Sequence, residues 1–144
     1  MPRVEKYWVS LSLHYHPEHA WAKVEREGVR VGLDDFAQQN MGRILAFRLR
    51  GKGVELEQSK AFGTVESGKW VQRLISPVSG TIMEINQKAV RSPRIINEDP
   101  YGEGWLIIIK PTSKLDEELG KLFIGDAAIN WLREEIKRWE KEKK

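Results

Sequence analysis

The chain has 144 residues, with 24 Lys plus Arg, 21 Asp plus Glu, six Trp and no Cys. That is a single-domain length, enough to bury roughly two-thirds of the unfolded surface, and 40% hydrophobic with 31% charged residues is a globular composition. No run of 18 apolar residues is present, which excludes a spanning helix, and the lack of Cys excludes disulfides, thiolate zinc sites, iron–sulfur ligation and a Cys nucleophile. The opening MPRVEKYW has neither the apolar core of a secretory signal nor a transit-peptide composition, so a cytoplasmic location without membrane association is expected. The formal net charge of +3 comes from positives interleaved with negatives, which argues against a nucleic-acid binder. Sixteen Glu against five Asp, with abundant Lys, suggests a thermophilic bacterial or archaeal source.

Gly and Pro punctuate the first hundred residues at short intervals, favouring short strands over long helices. Trp8–Leu13 alternates apolar and polar residues and is predicted as a half-buried strand. Trp21–Glu25 and Gly28–Leu33 follow as a pair joined at a Glu-Gly turn. Asp34–Met41 carries a capping residue ahead of helix formers and stops at Gly42, which predicts one short internal helix. Ile44–Leu49, Ala61–Glu66, Trp70–Ile75 and Thr81–Ile85 are further strands, and strands at this spacing predict a mainly β sandwich or barrel. Trp105–Lys110 is a last apolar strand stopped by Pro111, and Leu115–Leu122 a short helix. Asp126 is expected to cap a longer helix, in which Ile129, Leu132, Ile136 and Trp139 form one stripe. Glu134 and Arg138 are expected to pair on its outer face, and the terminal KEKK to fray. The organisation expected is one domain and a monomer, with residues 1–123 as the body, including an N-terminal strand extension, and 124–144 as a helix packed on it. The run from Gly42 to Phe47 echoes Gly80–Ile85 on either side of Gly63–Ile75, so the tip of the hairpin between them, Ser67-Gly68-Lys69, should face outward.

Several motifs carry chemistry on paper. Gly63–Lys69 matches G-x-x-x-x-G-K, but Trp70 stands where a phosphate loop needs Ser or Thr, and a strand follows instead of a helix. His14, His16 and His19 lie close in sequence, yet Pro17 breaks the segment and no carboxylate falls at ligand spacing, so surface or capping histidines are expected and no metal site. No Ser/His/Asp order or paired acid stands out, which points away from an enzyme. Arg43, Arg48, Arg50 and Lys52 share a twelve-residue stretch without an acid. Such a stretch is either a charged strand edge that resists aggregation or a docking patch for an acidic partner. Lys69 is either an ordinary exposed turn lysine or a primary amine on a rigid protrusion, which is what an enzyme needs in order to acylate one lysine and ignore twelve others.

The residues around Lys69 resolve that choice by likeness. GTVESGKW, then SPVSGTIMEIN, then INEDPYGEGWLIIIK resemble the H protein of the glycine cleavage system, and HPEHAW with VGLDDFAQQNMG is similar to that family's N-terminal part. The resemblance runs from about Tyr15 to Phe123. Its most specific stretch is Asn97, Glu98, Asp99, Pro100, Tyr101, Gly102, Glu103, Gly104 and Trp105. In the family, the Lys of an E-S-x-K motif carries lipoate in amide linkage, and that motif falls on Glu66, Ser67 and Lys69. Lipoyl domains also tend to have glycines at the offsets occupied here by Gly53 and Gly80.

The resemblance implies a barrel-sandwich hybrid of the lipoyl-domain type, with two small sheets related by a quasi two-fold, a short internal helix and C-terminal helices. It implies a non-catalytic carrier: (R)-lipoate on Lys69 as a swinging arm that takes an aminomethyl group from a pyridoxal-phosphate glycine decarboxylase, delivers it to an aminomethyltransferase, and is reoxidised by dihydrolipoamide dehydrogenase. A lipoate-attaching enzyme is a further implied partner. Three departures bear on the client: Gly68 and Trp70 replace the family's usual Val and Ala beside the lysine, Ala20 replaces a Glu, and Arg43–Lys52 is basic where the family is typically acidic. H-like lipoate-binding proteins that carry sulfur for a heterodisulfide-reductase-like complex are the alternative these departures leave open. An unmodified H-like regulatory module is a more remote one.

Overall fold

The structure, a computed structural model, describes residues 1–143. Strands β1 (Arg3–Val4) and β2 (Tyr7–Trp8) form a small ribbon. β3 (His14–Tyr15), β4 (Ala20–Val24) and β5 (Val29–Leu33) follow, then helix α1 (Asp35–Met41). β6 (Ile44–Leu49), β7 (Glu55–Leu56), β8 (Ala61–Ser67), β9 (Val71–Ile75) and β10 (Gly80–Ile85) come next. Helices α2 (Gln87–Arg91) and α3 (Arg94–Glu98), strand β11 (Ile107–Pro111), and helices α4 (Leu115–Leu119) and α5 (Asp126–Lys143) complete the chain. A six-stranded sheet in the order β3-β4-β5-β11-β10-β7 packs with a three-stranded sheet β6-β8-β9.

The patterned strands fall where their residues predict. Burial selects one face of each: Val29, Val31, Ile82, Ile107 and Ile109 join Phe62, Val65 and Leu74 of the other sheet in one core. Asp34 caps α1 through its side chain, which accepts from the Ala37 amide at 2.8 Å. The helix ends at Gly42, whose φ of +77° a side-chain-bearing residue adopts only with strain. A second core lies between the N-terminal ribbon and α5, where Tyr7, Tyr15, Trp21 and Phe36 meet Ala128, Leu132 and Ile136.

Five expectations need correction. Trp8–Leu13 is not one strand: Ser10 and Ser12 bond each other and the Ser10 amide donates to the Tyr15 hydroxyl, turning the chain between β2 and β3. Pro111 is the last residue of β11 rather than its stop; it is the terminal position, paired with Gly80. Asp126 is the first residue of α5 and not a residue ahead of it. Arg138 pairs with Glu135 and Glu142, while Glu134 faces Lys137. The helix also runs on through Lys143 instead of fraying at KEKK; Lys144 lies outside the described residues. The sequence pattern alone gave no indication of β1, β7, α2 or α3.

Candidate functional site

The β8–β9 hairpin closes in a two-residue turn. The Ser67 amide donates to the Trp70 carbonyl at 2.9 Å, and the buried Ser67 Oγ accepts from the amides of Lys69 (3.3 Å) and Trp70 (3.2 Å). A hydroxyl at the first turn position substitutes for missing backbone partners. Gly68 and Lys69 form the corner, and neither takes a left-handed φ. The tightness of the turn therefore comes from Ser67, not from the freedom of Gly68. A Cβ on Gly68 would meet nothing within 4 Å, so the corner projects into open space. Lys69 is exposed at this point. Its chain leans over Gly42, with Cε and Nζ 3.9 and 4.0 Å from where a Cβ on that glycine would stand.

What holds Gly42 holds the floor under Lys69. Asn97 donates through Nδ2 to the Gly42 carbonyl and to Gln38 Oε1, both at 2.9 Å, and accepts from the Ile44 amide through Oδ1, also at 2.9 Å. One side chain thus pins the α1–β6 joint. The rest of the NEDPYGEGW run is scaffold remote from the amine. Asp99 accepts from the Glu103 amide, and Gly102 and Gly104 let the loop fold onto Asp99. The Pro100 carbonyl accepts from Trp21 Nε1 at 3.0 Å. The Tyr101 hydroxyl donates to the Trp8 carbonyl and accepts from the Asp35 amide, Trp105 lies under the Arg30 guanidinium, and Glu98 is exposed.

Gly53 and Gly80 also lie away from the tip, on the β7–β10 seam. The Gly53 amide donates to the Ile82 carbonyl, and Gly80 pairs with Leu56 and Pro111. Gly80 has φ +155°, and a Cβ there would collide with the Lys110 carbonyl. Glu66 stays on the exposed face of β8, next to the turn. Arg43, Arg48, Arg50 and Lys52 are all exposed along and beyond β6, an edge strand.

Beside the hairpin, a groove of about 210 Å³ runs between α1, β9 and the end of α5. Phe36, Met41, Trp70 and Trp139 give it aromatic and apolar walls; Glu18, Arg138 and Glu142 stand at its rim. Trp139 packs 6.1 Å from Trp70 and 6.3 Å from Phe36, and its buried Nε1 has no partner among the described residues. Met41 of this groove directly precedes Gly42, so the groove opens next to Lys69.

Of the three histidines, expected as surface or capping groups, His14 is partly exposed and His16 caps the Glu18 amide, but two are not at the surface. His16 and His19 are buried. His19 Nδ1 bonds Asp34 Oδ2 at 2.7 Å and Nε2 bonds Glu135 Oε1 at 2.8 Å, while the ring stacks on Phe36 and packs tilted against Trp131. With a carboxylate on each nitrogen, the imidazolium form satisfies both. Burial pushes its pKa down, but Asp34 and Glu135 outweigh that and raise it to about 9. Burial pushes Glu135 up, and the hydrogen bonds from His19 and Arg138 win, holding it at about 2. His16 is different. Its Nδ1 accepts from the Glu18 amide, so Nε2 carries the proton and donates to Ser59 Oγ at 2.9 Å, the wrong direction for activating a serine nucleophile. Among the described residues no three His, Asp or Glu side chains converge on a metal site, and no helix is long and apolar enough to cross a membrane. G-T-V-E-S-G-K is strand β8 and its turn, with no helix to meet a phosphate.

These residues fit an acyl-linked prosthetic group. The lysine amine stands on a rigid protrusion with free space around it, and an apolar groove adjoins it. The groove exceeds the roughly 150 Å³ that suffices for a benzene ring, and aromatic walls suit polarizable sulfur. Sequence reasoning placed Lys69 at the tip and Trp70 beside it. It missed His19, the joint made by Asn97, and Trp139. Trp139 was legible only as one more residue on an amphipathic stripe.

Comparison with known proteins identifies the relatives of the chain. The family described as Glycine cleavage H-protein matches residues 13–135. "Probable glycine cleavage system H protein 2" of Saccharolobus solfataricus is 44% identical over 117 residues, covering 81% of this chain and 78% of that protein. "Glycine cleavage system H protein 3" of Aquifex aeolicus is 38% identical over 132 residues, 89% of this chain and 82% of that one. The crystal structure of a glycine cleavage system H protein from Mycobacterium marinum superposes with a TM-score of 0.69 at 32% identity, covering 78% of this chain and 98% of that one. The family match stops at Glu135, so Arg138, Trp139 and Glu142 of the groove lie beyond it. On sequence and on fold alike, this chain belongs to the glycine cleavage H-protein family.

Proposed function

We propose that the chain is the lipoyl carrier of a glycine cleavage system, with (R)-lipoate in amide linkage on Lys69. The observation that carries this is the position of Lys69: an exposed amine at the corner of a Ser67-locked hairpin, next to an aromatic groove. Bound there, lipoate supplies a dithiolane, the thiol chemistry that a chain without Cys lacks. The partners in this reading are a pyridoxal-phosphate glycine decarboxylase, an aminomethyltransferase, dihydrolipoamide dehydrogenase and a lipoate-attaching enzyme, and the catalysis is theirs.

The chain's own work is positional. Ser67 fixes the turn so that the amine is presented in one direction, and Asn97 fixes the α1–β6 joint over which the lysine stem lies. A covalent tether converts each transfer into an intramolecular encounter. Phe36, Trp70 and Trp139 line a groove beside the hairpin that gives an apolar end group a place to rest between encounters.

The test is intact mass after co-expression with a lipoate-attaching enzyme. One lipoyl increment on wild type and none on Lys69→Ala is expected; no increment, or an increment that survives Lys69→Ala, refutes the assignment. Glycine–bicarbonate exchange with the cognate decarboxylase then tests the pathway. Exchange above background is expected, and its absence with a decarboxylase active on another H protein would turn the reading toward the sulfur-carrying branch.

A further inference from the structure

Some basic side chains of this molecule find carboxylates, as Lys23 and Arg30 do with Glu25 and Lys88 with Glu103, and others, Lys114 and Lys121 among them, are exposed without one. The outer face of the sheet behind the hairpin is set apart by the alignment of its charges and their place beside Lys69. Strand register sets Arg48, Thr64 and Arg73 in one row across β6, β8 and β9, and Ala46, Glu66 and Val71 in the next row toward the tip. Arg43 flanks this face at the tip end of β6, with Arg50 and Lys52 at the other end. All five basic residues are exposed, and among the described residues none has a carboxylate within ion-pair distance. Glu66 is the one acid in these two rows. At a strand rise of about 3.3 Å, the arginine row lies roughly 7 Å behind the Glu66–Val71 row, against the base of the turn. Protection of an edge strand requires charge of either sign. It does not account for one sign spread over both edges, β6 and β9, of a chain with a net charge of only +3.

We infer that this arginine face, Arg48 and Arg73 above all, is the surface by which the lipoate-attaching enzyme selects Lys69, through an acidic surface flanking that enzyme's active site. The inference rests on the reading of Lys69 as the attachment point. Selection is the central difficulty of the reaction: the chain has 13 lysines, and a primary amine alone distinguishes none of them. The step served is acyl transfer from ATP-activated lipoate. The amide C–N bond to Nζ forms, the acyl–phosphate C–O bond breaks, AMP leaves, and Nζ gives up a proton. A one-signed face beside the tip steers a complementary surface onto the hairpin during encounter, which acts on association and on its salt dependence more than on chemistry.

The experiment uses the full unmodified chain, lipoate, ATP and a lipoate-attaching enzyme, with initial rates followed by intact mass. Salt runs from about 20 to about 500 mM, over which the screening length shrinks from roughly 20 to roughly 4 Å. For wild type, kcat/KM should fall about tenfold across that range, with kcat steady to within about twofold. R48E/R73E should be about tenfold slower in kcat/KM at low salt and converge on wild type at high salt. R48A/R73A should fall between them. K114E/K121E, with the same change in net charge on and beside α4, should follow wild type. Thermal melts confirm that each variant is folded. Equal low-salt rates for R48E/R73E and K114E/K121E would overturn the inference, and so would a loss confined to kcat with an unchanged salt slope. Tight binding of a fluorescent oligonucleotide, lost in R48E/R73E while attachment is salt-independent, would assign the face to nucleic acid and overturn it too. Failure of wild type to gain lipoyl mass would instead strike the Lys69 reading.

Discussion

Deprotonating His19 should release the C-terminal helix. The imidazolium lies between Asp34, which caps α1, and Glu135 on α5, 116 residues after His19, so it joins elements far apart in the chain. Its pKa is about 9 in the folded protein against an ordinary value of 6.5. A raised pKa means that the folded state holds the proton more tightly than the unfolded one, so the stabilisation is complete below about pH 6.5 and is lost as pH rises through about 9. At about 1.4 kcal/mol per tenfold change in proton affinity, the rise from 6.5 to about 9 corresponds to about 3 kcal/mol. In a domain of this size that is on the order of 6–12 °C in Tm. The assay is urea unfolding at a series of pH values from 6 to 9.5, followed by tryptophan fluorescence, because Trp131 packs against the His19 ring and Trp139 follows on the same helix. His19→Gln keeps a polar side chain but has no proton to lose, so it should be less stable at pH 6 and flat over the same interval. Parallel pH curves for wild type and His19→Gln between pH 6.5 and 9 would refute the reasoning.

Gly80→Ala should cost about 2–4 kcal/mol, read as a shift of urea midpoint, because its Cβ meets the Lys110 carbonyl at a φ suited to glycine; a shift below about 1 kcal/mol would contradict this. Gly68→Val should leave stability within about 1 kcal/mol of wild type and lipoyl attachment intact, since the corner uses no left-handed φ and the space around it is open. Marked destabilisation by equilibrium unfolding would show the turn to be built otherwise. Asn97→Ala leaves the Ile44 amide and the Gly42 carbonyl without partners and should cost about 2–4 kcal/mol. Amide exchange should rise at Ile44 before it rises in β11, and uniform exchange would count against a local joint.

The strands were legible as short apolar runs bounded by Gly, Pro and other turn residues, as at Gly28–Leu33 and Thr81–Ile85, whereas the visible alternation of Trp8–Leu13 belongs to a turning segment. Helix α1 was legible because Asp34 and Gly42 mark its ends by local chemistry. Lys69 was placed at the hairpin tip by two flanking strands, and the role proposed for it came only from likeness to a family. The rest depended on contacts between residues far apart in sequence. Nothing near His19 announces Glu135, and Asn97 reads only as the first residue of the Asn97–Trp105 stretch until Gly42 and Ile44 are brought under it. Strands of two residues such as β1 and β7 are too short to show any period, and α2 and α3 carry no long stripe. The groove needed Trp139, whose companion Trp70 lies 69 positions earlier.

The His19–Glu135 contact also imposes an order of events on the ribosome. At about 5–20 residues per second, some 6–23 s separate the synthesis of its two members. Within that interval the β8–β9 hairpin is made and can close between neighbours in sequence, and Asn97 follows to pin the joint beneath it, whereas His19 and the ring of Tyr15 wait for residues not yet made. The lysine's platform can thus be complete while the helix that walls its groove is still to come.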